Sequence, residues 1–223
     1  MELAIEKVDV DSLLLPFKQG RQKYTSYLYS PYSIKLHRRV NVYTKDGYAL
    51  WTRLESNPSV VRYNELVKPI PISISKGKAQ MLSPGAISIH IANLVCVHLI
   101  EGKEEKTAAW NDWCQETGYT VVEWDKKELY KNPIELNNLQ KLLRLTSDPN
   151  FTPHIGLEIS ILQDLKNYSS IPFFKLVKQF HSHDENDVHR VIAYLIINKK
   201  IFSDIHINVF SMFTELSAHH EFG

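Results

Sequence analysis

Hydrophobic and polar positions alternate with three different spacings along these 223 residues, and the places where the spacing changes mark out the elements. Over residues 46–57, Leu50, Trp51 and Leu54 fall on one helical stripe that also carries Tyr48 and Glu55, and Pro58 ends the run. Val- and Ile-rich alternation with a period of two follows at 60–75, then at 86–92 and 94–101, which predicts one extended strand and a hairpin. Residues 103–116 return to helical spacing with Ala109, Trp110, Trp113 and Cys114 inward and Gly118 as the stop. A short strand is expected at 121–124. Asp125 with Glu128, and Asn132 with Pro133 and Glu135, read as helix starts with capping boxes. The second start opens a helix to about Leu145 with Leu136, Leu139, Leu142 and Leu143 inward. Ser147-Asp148-Pro149-Asn150 reads as a linker. Beyond it come three helical stripes, marked by Leu157, Ile161 and Leu165, by residues 172–180, and by Val188, Val191, Ile192, Leu195 and Ile196. A strand-like tail follows with Phe202, Ile205, Ile207, Val209 and Phe210.

This order predicts an α/β domain, a mixed sheet flanked by helices, over 41–147, preceded by an arm at 1–40. Three helices and a β-wing over 151–223 predict a small winged helix. Length allows two such domains, each with its own core, and a content of 43% hydrophobic and 23% charged residues is that of a globular protein in water. Two cysteines, Cys96 and Cys114, form no CxxC pair and read as buried thiols of a reducing cytosol. No signal-peptide pattern and no apolar run long enough for a membrane helix occurs, so the expected location is cytoplasmic.

Charge adds one thing that the net value of +1 conceals. Lys18, Arg21, Lys23, Lys35, Arg38, Arg39 and Lys45 lie in a stretch without a single acid, interleaved with Tyr24, Tyr27, Tyr29 and Tyr32. Cations with interleaved tyrosines suit a phosphate backbone, so this arm is the expected DNA contact. The third helix of the C-terminal domain starts instead with Asp184-Glu185-Asn186-Asp187, which phosphates would repel; a protein-docking role is the better expectation there.

Glu55 on the inward stripe is the first candidate for chemistry, because a buried carboxylate is costly unless paired or ligating a metal. Arg53, Arg62 or Lys68 could equally pair with it. His90 and His98 are expected to point the same way across the hairpin and, with Glu55 and Glu101, could form an unusual metal set; ordinary hydrogen-bonded histidines are the plainer account.

Three segments, from Val42 to Pro58, from Lys106 to Tyr119 and from Lys127 to Arg144, resemble in order and spacing the TnsA-type endonuclease subunit of bacterial heteromeric transposases. The resemblance implies a restriction-endonuclease-like domain followed by a winged helix. It implies cleavage of the 5′ ends at transposon ends beside a partner DDE-type transposase, with an AAA+ regulatory ATPase docking on the C-terminal part. It also implies a Mg²⁺ site built from a helix Glu, a strand Asp and a Lys, the metal polarising the scissile phosphate and the Lys stabilising the transition state.

Of those residues only Glu55 matches. The strand Asp falls on Gly85 or Ala86, and the acid-x-Lys stretch on His98 to Glu101, with Ile100 or Glu101 where Lys stands in the family. The expectation is an impaired nuclease acting in DNA binding and assembly of the transposition complex. The alternative is an active Mg²⁺ nuclease with displaced ligands drawn from Glu55, Glu65, Glu101 and Lys103, where Glu101-Gly102-Lys103 supplies an acid-x-Lys.

Overall fold

A computed structural model describes residues 10–17, 28–74, 78–101 and 104–218. The chain divides into two compact units. The first takes in the described parts of Met1–Ser30 together with Arg39–Leu54 and Ser59–Lys131; the second comprises Pro31–Arg38, Glu55–Pro58 and the chain from Asn132 onward.

Near the start of the first unit lies a one-turn helix α1 (Val10–Leu14). Strands β1 (Tyr32–Ser33) and β2 (Arg38–Arg39) form a short ribbon that, apart from Arg39, belongs to the second unit; helix α2 (Lys45–Glu55) follows in the first unit, apart from its last residue. Then come β3 (Val60–Asn64), a separate hairpin of β4 (Ile70–Ile74) and β5 (Lys78–Leu82), and β6 (Ala86–His90). Strand β7 (Val95–Ile100), helix α3 (Glu104–Thr117), strand β8 (Thr120–Trp124) and the short α4 (Lys126–Leu129) complete the unit. The main sheet has the order β3-β6-β7-β8, antiparallel between the first three strands and parallel between β7 and β8, with α3 as the crossover.

Alternation along β7 decides the layers. Val95, Val97 and Leu99 point into a core with Ala109, Trp110, Trp113 and Cys114 of α3 and with Ile70, Ile72 and Leu82 of the hairpin. The other face carries Ala86 and Ser88 of β6 and Cys96, His98 and Ile100 of β7. Gly118 closes α3 at φ +76°, a conformation that a side chain would strain, while the next residue, Tyr119, donates its amide to the Cys114 carbonyl at 2.8 Å.

The strand expected over 60–75 is two strands in two sheets. Asn64, fully buried, turns the chain: its Nδ2 donates to the carbonyls of Leu13 (2.7 Å) and Leu15 (3.0 Å), and its Oδ1 accepts from the Leu66 amide (3.0 Å). Pro69 then lacks the donor that a continuing ladder needs.

In the second unit, helix α5 (Pro133–Thr146) is followed by α6 (Ile155–Leu165), β9 (Ile171–Pro172), α7 (Phe173–Gln179) and α8 (Glu185–Ile197). Strands β10 (Ile201–Ser203) and β11 (Glu215–Ala218) finish a three-stranded antiparallel sheet of order β10-β11-β9. The strand expected through residue 210 stops at Ser203. The Asp204 carbonyl accepts the amides of both Ile207 and Asn208, and Asn138 of α5 holds the loop that follows.

The domain boundary expected at 147 lies instead between Lys131 and Asn132. The reason is hydrophobic: Leu136, Leu139, Leu142 and Leu143 of α5 are buried against the helical layer of α8, whose Val188, Val191, Ile192, Leu195 and Ile196 are buried too. Each such side chain contributes roughly 1.5–3 kcal/mol on burial, which outweighs the punctuation at 147–150.

Candidate functional site

Two features of the first unit lie on the α2 face of the main sheet. One is a cavity of about 260 Å³ where β6 begins and β7 ends. Its walls come from Asn41, Val42, Tyr43 and Thr44, from Gly47, Leu50, Trp51 and Leu54 of α2, from Tyr63, Glu65 and Leu66, and from Gly85, Ala86 and Ile100. Pairing builds it: Ala86 stands opposite His98 in the β6/β7 register, and the Gly85 amide donates to the His98 carbonyl at 2.7 Å. A side chain at Gly85 would be crowded, since a Cβ there would lie 3.0 Å from Ile100 Cγ1 and 3.2 Å from the His98 carbonyl oxygen.

The α2 wall is held by an aromatic run. Tyr29 stacks on Tyr48 at 4.4 Å between centroids, Tyr48 on Trp51 at 5.3 Å, and the Trp51 indole N–H donates to the Tyr63 hydroxyl at 2.8 Å. The start of α2 is fixed by the Tyr130 hydroxyl, which donates to Asp46 at 2.9 Å; burial and that bond push the phenol up to about 12. The cavity contains one carboxylate, Glu65, whose Oε1 accepts the Asn41 amide at 3.1 Å.

Beside the cavity runs a polar chain inside the sheet face. Trp124 Nε1 donates to His98 Nδ1 at 3.0 Å, His98 Nε2 lies 2.7 Å from Ser88 Oγ, and Ser88 Oγ lies 3.0 Å from His90 Nε2. An indole can only donate, so His98 carries its proton on Nε2 and gives it to Ser88, whose own hydroxyl proton is left for His90. His98 and Ser88 are buried. Burial, with His90 alongside, pushes His98 down to about 4, so it is a neutral imidazole near pH 7.

The sequence-derived candidates are distributed differently. Glu55 is buried, as its stripe requires, and its carboxylate binds its own unit: it accepts from Ser33 Oγ at 2.7 Å, the Ile34 amide at 3.0 Å and the Lys35 amide at 3.4 Å. The α2 residues lining the cavity are Gly47, Leu50, Trp51 and Leu54. Glu101 ends β7 with φ +37° and pairs with Lys126 at 3.3 Å. Ala86 and Ile100 line the cavity; His98 belongs to the polar chain. Lys103 lies outside the described residues, as do Lys18, Arg21 and Lys23. Among the described residues no group of three His, Cys, Asp or Glu side chains is placed to hold a metal ion.

Of the basic series, Lys45 and Arg39 are exposed and Arg38 is half-buried. Arg39 also donates to the Ser30 carbonyl at 3.1 Å. Lys35 differs from the expectation of a solvent-facing cation: its Nζ donates to the Asn57 carbonyl, and burial lowers it to about 8 against the opposing pull of Glu55.

Ser88 and Trp124 were not singled out by sequence reasoning. The available signal was the Ser88-x-His90 spacing, which puts both side chains on one face of a strand. Among the described residues no helix is long and apolar enough to cross a membrane. A scan against models of known protein families gives no match for this chain, and a search of curated proteins gives none either.

Proposed function

We propose that this protein is a nuclease-derived assembly factor of DNA transposition, similar to the TnsA-type subunit, that binds transposon-end DNA and no longer depends on metal chemistry. The observation that carries the reading is the cavity at Ala86 and Ile100. The element order from α2 through β3, β6, β7 and α3 to β8 is compatible with a restriction-endonuclease-like core, and in that frame Gly85 or Ala86 would take the strand-Asp place and Ile100 or Glu101 the Lys place. Mg²⁺ is usually held by one or two carboxylates together with water and substrate phosphate; the lining offers the single carboxylate of Glu65 and no lysine beside it.

The second unit, with the order α6-β9-α7-α8-β10-β11, supports a winged helix. Its α8 would be the groove reader, but α5 packs on it and Asp184, Glu185 and Asp187 occupy its N-terminal end. A protein partner, the AAA+ ATPase of such systems, suits that surface better than DNA. Arg38, Arg39 and Lys45 would supply phosphate contacts.

The alternative, an active nuclease with displaced ligands, draws on Glu65 lining the same cavity. One experiment separates the two: cleavage and binding of a labelled transposon-end duplex with the partner transposase, with and without Mg²⁺ or Mn²⁺. The assembly reading expects binding without metal, no strand cleavage, and a smaller salt slope for the Arg38→Ala/Arg39→Ala double variant. Metal-dependent cleavage that Glu65→Gln abolishes would establish the alternative, and an absence of DNA binding under all conditions would remove both.

A further inference from the structure

We infer that the turn at residues 211–214 and the adjoining face of α7 form a docking surface for an acidic amphipathic segment of a protein partner. The inference concerns the second unit alone and does not depend on the transposition reading. The turn is tied down at several points. Thr214 donates its amide to the Ser211 carbonyl at 3.1 Å, the Ser211 amide donates to Thr214 Oγ1 at 2.9 Å, and the Phe213 amide donates to Ser211 Oγ at 3.2 Å. Its carbonyls also cap α7, whose first amides have no partner within the helix: Thr214 and Met212 accept from Phe173 and Phe174, both at 2.9 Å. A backbone so held presents apolar side chains to water, with Phe213 75% and Met212 43% exposed. Phe213 meets the half-buried Phe174 edge-on at 5.6 Å between centroids, so the apolar groups are contiguous rather than scattered.

The rim carries one sign of charge. Lys178 lies over the Phe174 ring, 5.7 Å from its centroid, and Lys175, three positions earlier, is its neighbour on α7. Both lysines are exposed, α7 contains no acid, and among the described residues neither lysine enters an ion pair. Glu215, next along the chain from the turn, is hydrogen-bonded to Ser170. A partner that covers the apolar groups and meets the lysines with carboxylates is favoured on both counts. Basic flanks would be repelled, and neutral flanks would forgo the charge-assisted bonds. A fixed aromatic centre inside a polar rim is how interface hot spots are built, and methionine adapts to the shape laid on it. Single-stranded nucleic acid is a poorer match. Two rings inclined at 68°, one of them beneath an ammonium, do not make the platform on which successive bases stack.

The test titrates the full chain into fluorescein-labelled helical peptides of about fifteen residues, read by fluorescence anisotropy. Each peptide has leucine on one face and glutamate, glutamine or lysine on the other; an oligothymidylate and phosphatidylserine vesicles are measured alongside. The expected result is saturable binding of the glutamate peptide, at least about threefold weaker for the glutamine peptide and weaker again for the lysine peptide. Phe213→Ser should weaken the glutamate peptide about tenfold or more. No binding of the glutamate peptide, equal binding of the glutamine peptide, or an affinity that Phe213→Ser leaves unchanged would each overturn the proposal. Tighter binding of the oligothymidylate or of the vesicles would overturn it as well. The peptide comparison needs no variant, so the outcome stands even if Phe213→Ser folds poorly.

Discussion

Trp124 fixes the proton of His98. Its indole N–H donates to Nδ1 across 3.0 Å, which leaves Nε2 protonated towards Ser88 and makes the buried ring a neutral link from β8 to His90.

The consequence is a defined pH dependence. Folded His98 titrates at about 4, against an unfolded value of 6.5, so between those values the unfolded chain binds the extra proton. Stability from this group is therefore complete above pH 6.5 and is lost as pH falls towards 4, by roughly 3 kcal/mol in all. Urea denaturation of the wild type and His98→Gln at pH 7 and pH 4.5 measures it. The variant should lose less stability on acidification, and parallel losses would disprove the buried neutral imidazole.

Glu55 is expected to act as a structural anchor. Glu55→Ala leaves the Ser33 hydroxyl and the Ile34 amide without their acceptor and should cost roughly 3 kcal/mol. Glu55→Gln, which keeps an acceptor oxygen, should cost less. A loss in denaturation midpoint worth under about 0.5 kcal/mol, the range of ordinary surface changes, would contradict the anchor.

Crowding at Gly85 gives a second stability prediction. Gly85→Ala puts a methyl group 3.0 Å from Ile100 Cγ1 and should destabilise by about 1–3 kcal/mol. Adding Ile100→Ala removes the flexible half of the clash, so the double variant should be more stable than the sum of the two singles. Simple additivity in a double-mutant cycle would show that the contact does not matter.

In the second unit, Asn138 is the equivalent keystone for a loop. Its Nδ2 donates to the carbonyls of Ile205 and Asn208, both at 2.7 Å, and its Oδ1 accepts the Phe210 amide at 2.8 Å. Asn138→Ala should cost roughly 3 kcal/mol and raise hydrogen exchange across residues 204–214 before it affects α8. Exchange that rises uniformly over the unit would mean that the loop is not held locally.

How much was legible followed from how local the cause was. The helix starts at Asp125 and Asn132 were readable, because each cap is a bond to the amide three residues on, to Glu128 at 2.7 Å and to Glu135 at 3.0 Å. The 86–100 hairpin and the inward stripe of α3 were equally local. The break after Asn64 was not, since it depends on carbonyls some fifty residues earlier in the chain. Glu55 was rightly read as buried, but its acceptor role depends on a ribbon twenty residues upstream. Asn138 interrupts the Leu136–Leu143 stripe as a polar residue, a visible sign whose partners, about seventy residues on, were not. The cavity follows from strand register, which brings Ala86 and Ile100 to one wall although the chain between them runs through a whole hairpin.

Because α5 belongs with α8, the seam of this protein and the punctuation of its sequence do not coincide. A fragment cut at the Ser147-Asp148-Pro149-Asn150 stretch would carry a leucine-faced helix with nothing to lie on, and its complement would show the bared side of α8 to water. Both pieces would be prone to aggregate, whereas a cut before Asn132 keeps the helix with its mate. Even that cut parts Pro31–Arg38 and Glu55–Pro58 from the rest of their unit, so no single crossover along the chain exchanges one unit whole.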